Sequence, residues 1–210
     1  MPESDPAAGP ASDRPPADRA IDALMALTAA KGWRHVALAD VAVEANLTLS
    51  ALYALFRSKA AILGGFLRRV DEAAFAEREP GERRRGDGSV RDRLFDLLMR
   101  RFDALKPHRA ALREIARAAP GDCALALCLG PRLFNAMRWT ADAAGVETSG
   151  LIGPARVKVV TAAYLWAFRV FLTDESEDLA ATMAALDKAL ARCEMLARSV
   201  PGSSRRSAAA

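Results

Sequence analysis

Seven side chains between Arg34 and Lys59 have the chemistry to hold an anion. Arg34, His35, Arg57 and Lys59 are cationic or can become so, and Thr48, Ser50 and Tyr53 carry hydroxyls. Such groups suit the oxygens of a phosphate backbone, and a Ser or Thr hydroxyl can also reach a base edge. The stretch they surround is less obviously polar. LTLSALYALF, Leu47 to Phe56, contains no Arg, Lys, Asn, Gln, Asp or Glu. It therefore lacks every side chain that makes the bidentate base contacts worth about 1–3 kcal/mol each.

Catalytic chemistry finds little footing. His35 and His108 are the only histidines and lie far apart in sequence, and HExxH, GxSxG and Walker A patterns are absent. Asp92, Asp96 and Asp103 stand among arginines on one stretch, the pattern of a solvated, ion-paired helix face. GDGS at 86–89 lacks the third glycine and the preceding strand of a nucleotide loop. No catalytic residue, cofactor or metal is expected. Cys123, Cys128 and Cys193 have no CxxC spacing, which suits reduced thiols. The opening MPESDPAAGPASDRPPADR lacks the charged and apolar regions of a signal peptide, and no run of about 18 apolar residues offers a transmembrane segment. A cytoplasmic address is expected. The net charge of +4 permits phosphate-bearing partners without requiring them.

The elements that position these groups are helical. Ala, Leu, Arg and Glu dominate and strand alternation is almost absent, so the fold class is all-α. Periodicity and punctuation predict helices near 17–31, 39–45, 49–56, 58–78, 90–105, 109–119, 131–145, 154–173 and 176–198. The stretch 122–129 is either an extra short helix or part of the sixth. Gly32, Asn46 and Gly145 fall where left-handed caps close helices. Residues 1–16 and 199–210 read as disordered tails, and PGERRRGDGS at 80–89 as a linker. That leaves a three-helix helix-turn-helix domain over 17–79, ending in a fourth helix, and a helical bundle over 90–198.

In the first domain Ile21, Leu24, Met25 and Thr28 share a helix face that Val41, Ala42, Leu52 and Phe56 can close. Leu47 would plug the turn ANLT, and Thr48 can cap the helix after it. Gly64-Gly65 costs helix propensity, about 1 kcal/mol per glycine, and suggests close helix packing. In the second domain Leu94, Leu98, Phe102 and Leu105 form one stripe and Leu133, Phe134, Met137 and Ala141 another. Phe102, Phe134, Met137, Tyr164 and Phe168 are candidates to line a pocket for a small apolar ligand or lipid, with Arg138 as a polar anchor. The helix near 154–173 is apolar on two opposite sides, and the next repeats apolar residues at spacings of four and three. Trp166, Val170, Met183, Leu186 and Leu190 are therefore expected at a homodimer interface.

AIDALMALTAAKGWRHVALADVAVEANLTLSALYALFRSKAAIL resembles the N-terminal DNA-binding domain of the TetR family of bacterial transcription regulators. The likeness rests on Gly32-Trp33, the DVA of the second helix, Leu52-Tyr53, Phe56 and Ser58-Lys59, and spans roughly residues 17–70. It implies a homodimer that contacts operator DNA through Arg34, His35, Thr48, Ser50, Tyr53, Arg57 and Lys59 and responds to a ligand. The chain departs from the family pattern where members commonly have Lys (here Leu49), Gly-Thr (Ser50-Ala51), and His and Tyr (Ala54 and Leu55). A second resemblance is looser. YLWAFRVFLTDESEDLAATMAALDKAL is similar to the C-terminal part of the lipid-binding accessory proteins of coenzyme Q (ubiquinone) biosynthesis, through its aromatic helix, Asp174-Glu175-Ser176, Asp178, Thr182 and Leu186. That resemblance implies a lipid ligand and a partner enzyme, on a TetR-like fold that does not read DNA.

Overall fold

The computed structural model describes residues 14–76 and 88–199, without the side chains of 196–199. Nearly all of the two expected tails and of the 80–89 linker lies outside the described residues. Nine α-helices occur among the described residues and no strand: α1 (Pro16–Lys31), α2 (Leu38–Glu44), α3 (Leu49–Leu55), α4 (Lys59–Ala76), α5 (Val90–Leu105), α6 (Arg109–Ala118), α7 (Cys123–Ala144), α8 (Gly153–Phe171) and α9 (Ala180–Ser199). The chain divides into two compact units, 1–69 with 108–129, and 70–107 with 130–210. This partition differs from a simple break at the linker, because α6 and the first turns of α7 go with the N-terminal helices.

In the first unit α1 packs against α2, α3 and α6. Its core holds the expected Ile21, Leu24, Met25, Thr28, Val41, Ala42 and Leu52, all buried, and adds Ile62, Leu63 and Phe66, while the expected Phe56 is only half-buried. Asn46 takes the left-handed conformation at φ 51°. The Leu47 N–H then bonds the Ala42 carbonyl and the Asn46 N–H the Val43 carbonyl, the double closure of a Schellman end. Thr48 caps α3 by accepting from Ala51 N–H at 3.1 Å, and Ser58 caps α4 by accepting from Ala61 N–H at 3.0 Å. Helices α2 and α3 meet at a bend of 104°, within the range of a helix-turn-helix. A Cβ on Gly65 would lie 3.0 Å from Ile21 Cδ1 and 3.2 Å from the Phe56 ring, so that glycine serves close packing. His108 returns the chain to this unit edge-to-face on Phe66, with centroids 4.9 Å apart.

In the second unit α8 and α9 form the main helix pair, and α5 packs against both. Two expectations change here. The 122–129 stretch and the helix expected at 131–145 are one helix, α7, with Pro131 inside it. A proline ring displaces the carbonyl four residues back, here that of Leu127. Pro131, Gly130 and Leu127 are all exposed, so the disturbed carbonyl is on the solvent side, where bending toward water is cheap. The second change is at α9, which begins at Ala180, four residues later than expected.

The delayed start has an electrostatic cause. Asp174, near the start of the α8–α9 connection, is buried and accepts the Thr182 N–H at 2.8 Å and the Thr182 hydroxyl at 2.6 Å. Its other oxygen accepts from the Ser176 N–H, at 3.1 Å, and from the Ser176 hydroxyl. Ser176 and Asp178 each accept from the Ala180 N–H, while the third-residue donor of α9 is met by Asp174. The residue before α9, Leu179, is buried at 1% exposure with φ 56°. Burial works against the Asp174 charge, yet hydrogen bonds from Ser176 and Thr182 prevail and hold the carboxyl at about 2, below its ordinary 3.8.

Asp174→Asn should lower stability near neutral pH by about 1–3 kcal/mol, the range for a buried donor losing its charged acceptor. A depressed carboxyl contributes fully above its unfolded value and loses that contribution as the pH falls through its folded value. The stability gap between wild type and variant, from denaturant unfolding, should therefore be flat above about pH 5 and close between about pH 4 and pH 2. A gap that stays constant across that window would remove Asp174 from this role.

Candidate nucleic-acid interface

The solvent-facing part of α3 carries Leu49, Ser50, Tyr53 and Ala54, all exposed, with Leu49 at 56% and Tyr53 at 60%. One turn of a helix separates i from i+4, so Leu49 and Tyr53 lie in line, and Ser50 and Ala54 beside them. Thr48 and Ser50 hydroxyls are 3.4 Å apart, and Thr48 keeps a proton to donate while its oxygen caps the helix. The Arg57 guanidinium lies 5.8 Å from the Tyr53 ring centre. Thr48, Ser50, Tyr53 and Arg57 thus form one exposed group around α3.

The other three candidates gather at the 3-10 turn Trp33–His35, Arg34 and His35 within it and Lys59 reaching it from the start of α4. The His35 ring bonds the Lys31 carbonyl through Nδ1 at 3.0 Å and remains exposed. Arg34 is exposed but rests on Gly121, where a Cβ would collide with its guanidinium. Lys59 is directed inward. Its ammonium donates to the Trp33 carbonyl at 2.6 Å and the Val36 carbonyl at 3.0 Å, and lies 4.5 Å from the Trp33 ring centre. Burial pushes it below the usual lysine value, with Asp122 acting in the opposite direction. Two of its three donors are committed to the turn, so Lys59 builds the site and keeps one donor for the phosphate contact expected of it.

Asp122 was not legible as a partner of this site. It accepts the Leu125 N–H at 2.9 Å, capping the start of α7, and the Trp33 indole N–H at 3.2 Å. Those two bonds hold its carboxyl below the ordinary range. The one available signal was an aspartate just before an apolar helical run, the position of a cap.

The second unit gathers a different set. Phe102 stacks on Tyr164 with centroids 5.2 Å apart, and Phe168 lies 6.0 Å from Tyr164. Phe171, which shares the apolar side of α8 with Tyr164 and Phe168 but was not among the expected pocket residues, joins Phe102 at 5.2 Å and Phe168 at 5.9 Å. Met137 is buried and Phe134 half-buried on α7. Arg138 is exposed, and the cation inside the unit is Arg101, 2% exposed. Arg101 pairs with Asp71, donates through Nε to the Tyr164 hydroxyl at 3.3 Å and lies 5.5 Å from that ring. Of the expected interface residues, Trp166 is 54% exposed, Met183 is exposed and Val170 half-buried. Leu186 and Leu190 are buried within a single chain, because the narrow seam of α9 is taken up by α8 and α5. Val159 and Leu165 take their place on the exposed side.

A helix-turn-helix joined to further helices is an arrangement that many DNA-binding proteins use. Residues 20–65 match the family model for bacterial regulatory proteins of the tetR family, so the N-terminal helices are a helix-turn-helix of that type. The whole fold is shared with solved TetR regulators. One from Nitrosomonas europaea ATCC 19718 superimposes with a TM-score of 0.70 at 23% identity, over 87% of this chain and 99% of that one. One from Rhodococcus sp. RHA1 gives 0.61 at 19% identity, over 85% and 94%. A tetR-family regulator from Streptomyces coelicolor gives 0.56 at 18% identity, over 86% and 81%. No curated protein matches.

Lys59→Ala should destabilise the protein by about 1–3 kcal/mol, since it leaves two carbonyls of the 3-10 turn without their donor. Arg57→Ala, at an exposed position, should change stability by less than about 0.5 kcal/mol. Denaturant midpoints of the two variants check this; equal midpoints would remove Lys59 from its structural role.

Proposed function

We propose that this chain is a ligand-responsive transcriptional regulator of the TetR type that binds operator DNA as a homodimer. The observation that carries this reading is the exposed face of α3, presented by a capped helix-turn-helix within the segment matching the family model. Arg57, Tyr53, Thr48 and Ser50 supply phosphate and hydroxyl contacts around that face, and Arg34 and His35 add exposed groups at the 3-10 turn. Two copies would place two such helices on successive half-sites about one turn of DNA, roughly 34–36 Å, apart. The dimer surface is the exposed apolar side of α8 and α9, with Trp166, Val159, Leu165 and Met183 at its centre.

The ligand site is assigned to the second unit, where the Phe102, Tyr164, Phe168 and Phe171 rings surround buried Arg101. A small, largely apolar ligand that binds one conformation of this unit better would shift the population between DNA-binding and non-binding forms. Helix α4 runs from the first unit into the second and is the element through which that shift travels. No catalytic step is assigned. The reading also assigns the protein to the cytoplasm, where its unbridged thiols are kept reduced. No single described helix is long and apolar enough to cross a membrane.

Purified protein should bind one DNA sequence, recovered from a randomised pool or from its own upstream region, more tightly than random DNA. Its log affinity should fall linearly with log salt, and Arg57→Ala should lower the slope by about one. Trp166→Asp should convert the dimer to a monomer in sedimentation and weaken operator binding. Affinity equal to that for random DNA, for every sequence and at every salt concentration, would overturn the reading.

A further inference from the structure

The side chains that face outward from α3 restrict which bases the helix can read. A base edge in the major groove offers hydrogen-bond donors, acceptors or, on thymine alone among the four bases, a methyl group. Leu49 and Ala54 can satisfy no donor or acceptor, and pressing them on guanine, adenine or cytosine edges would strip water from groups left unpaired. Against a thymine methyl the same contact removes two apolar surfaces from water. Leu49 is more than half exposed with no hydrogen-bonding neighbour on its face except the Ser50 and Tyr53 hydroxyls, and Ala54 is short enough to let the backbone approach. Arg57 at the end of the helix gives the face a cationic border, complementary to the phosphates that flank the groove.

We infer that this regulator recognises thymine methyl groups, with Leu49 as the principal reading residue and Ala54, further along the helix, as a second. The inference rests on the operator-binding reading above and deepens it: each half-site contains thymine at the positions α3 faces. Ser50 and Tyr53 contribute hydroxyl contacts that tolerate several bases, so discrimination depends on methyls. A dry apolar contact of this kind is worth about fourfold in affinity per methyl.

The test uses the full-length protein and a selection from randomised duplex DNA. Enriched sites are resynthesised with uracil in place of each thymine, which deletes the methyl and keeps the pairing edge. Thymines at fixed positions in each half-site are expected, with about fourfold weaker binding for each critical uracil. Leu49→Ala, checked for an unchanged circular dichroism spectrum and melting midpoint, should bind thymine and uracil sites alike. An enriched sequence whose affinity ignores every uracil substitution overturns the inference and leaves operator binding standing. Absence of any enriched sequence overturns both. If Leu49→Ala leaves DNA affinity intact but reduces binding to phosphatidylglycerol vesicles, the face serves a lipid surface and the inference falls.

Discussion

One ammonium group holds the helix-turn-helix at both ends. Lys59 opens α4, and its two acceptors, the Trp33 and Val36 carbonyls, belong to the turn that precedes α2. The residues between Val36 and Lys59 are α2, the Asn46 turn and α3, so one charge closes that segment into a loop. The ends of a closed segment cannot drift independently, and the 104° bend within it is fixed further by the Schellman closure and the Thr48 cap. Trp33 connects this clamp outward: its ring lies under the Lys59 charge and its indole donates to Asp122 at the head of α7.

The buried cation of the second unit has a comparable place. Arg101 is almost wholly enclosed, and such a charge persists only when paired and hydrogen-bonded. Asp71 supplies the opposite charge, and Tyr164 supplies an acceptor and a ring face. Because Asp71 lies near the end of α4, the aromatic interior is electrostatically tied to the helix that leaves the first unit.

Most helices were legible in the sequence, since each one's apolar spacing and caps agree. Gly32, Asn46 and Gly145 all take positive φ where helix ends were expected, and the first core closes over the predicted residues except Phe56, which is half-buried. What escaped was decided by which side of a helix faces solvent. Pro131 looks like a break until Leu127 is seen to be exposed. Leu186 and Leu190 have the spacing of a seam, and spacing alone cannot distinguish an internal seam from one shared by two chains. Arg138 and Arg101 are both arginines on helices, and only packing selects the buried one. In the candidate interface, the exposed set around α3 was predictable from local pattern. The inward turn of Lys59 was not, because its partners lie more than twenty residues earlier in the chain.

Leu179 shows how such packing limits later change. Its left-handed backbone disfavours any side chain by roughly 1–2 kcal/mol, yet its side chain is fully enclosed, a burial worth about 1.5–3 kcal/mol. Glycine would relax the backbone and empty the site, while a β-branched residue would fill it and worsen the backbone. Neither replacement improves both, so the position is a local optimum from which mutational drift has no easy exit, fixed by the geometry of one turn.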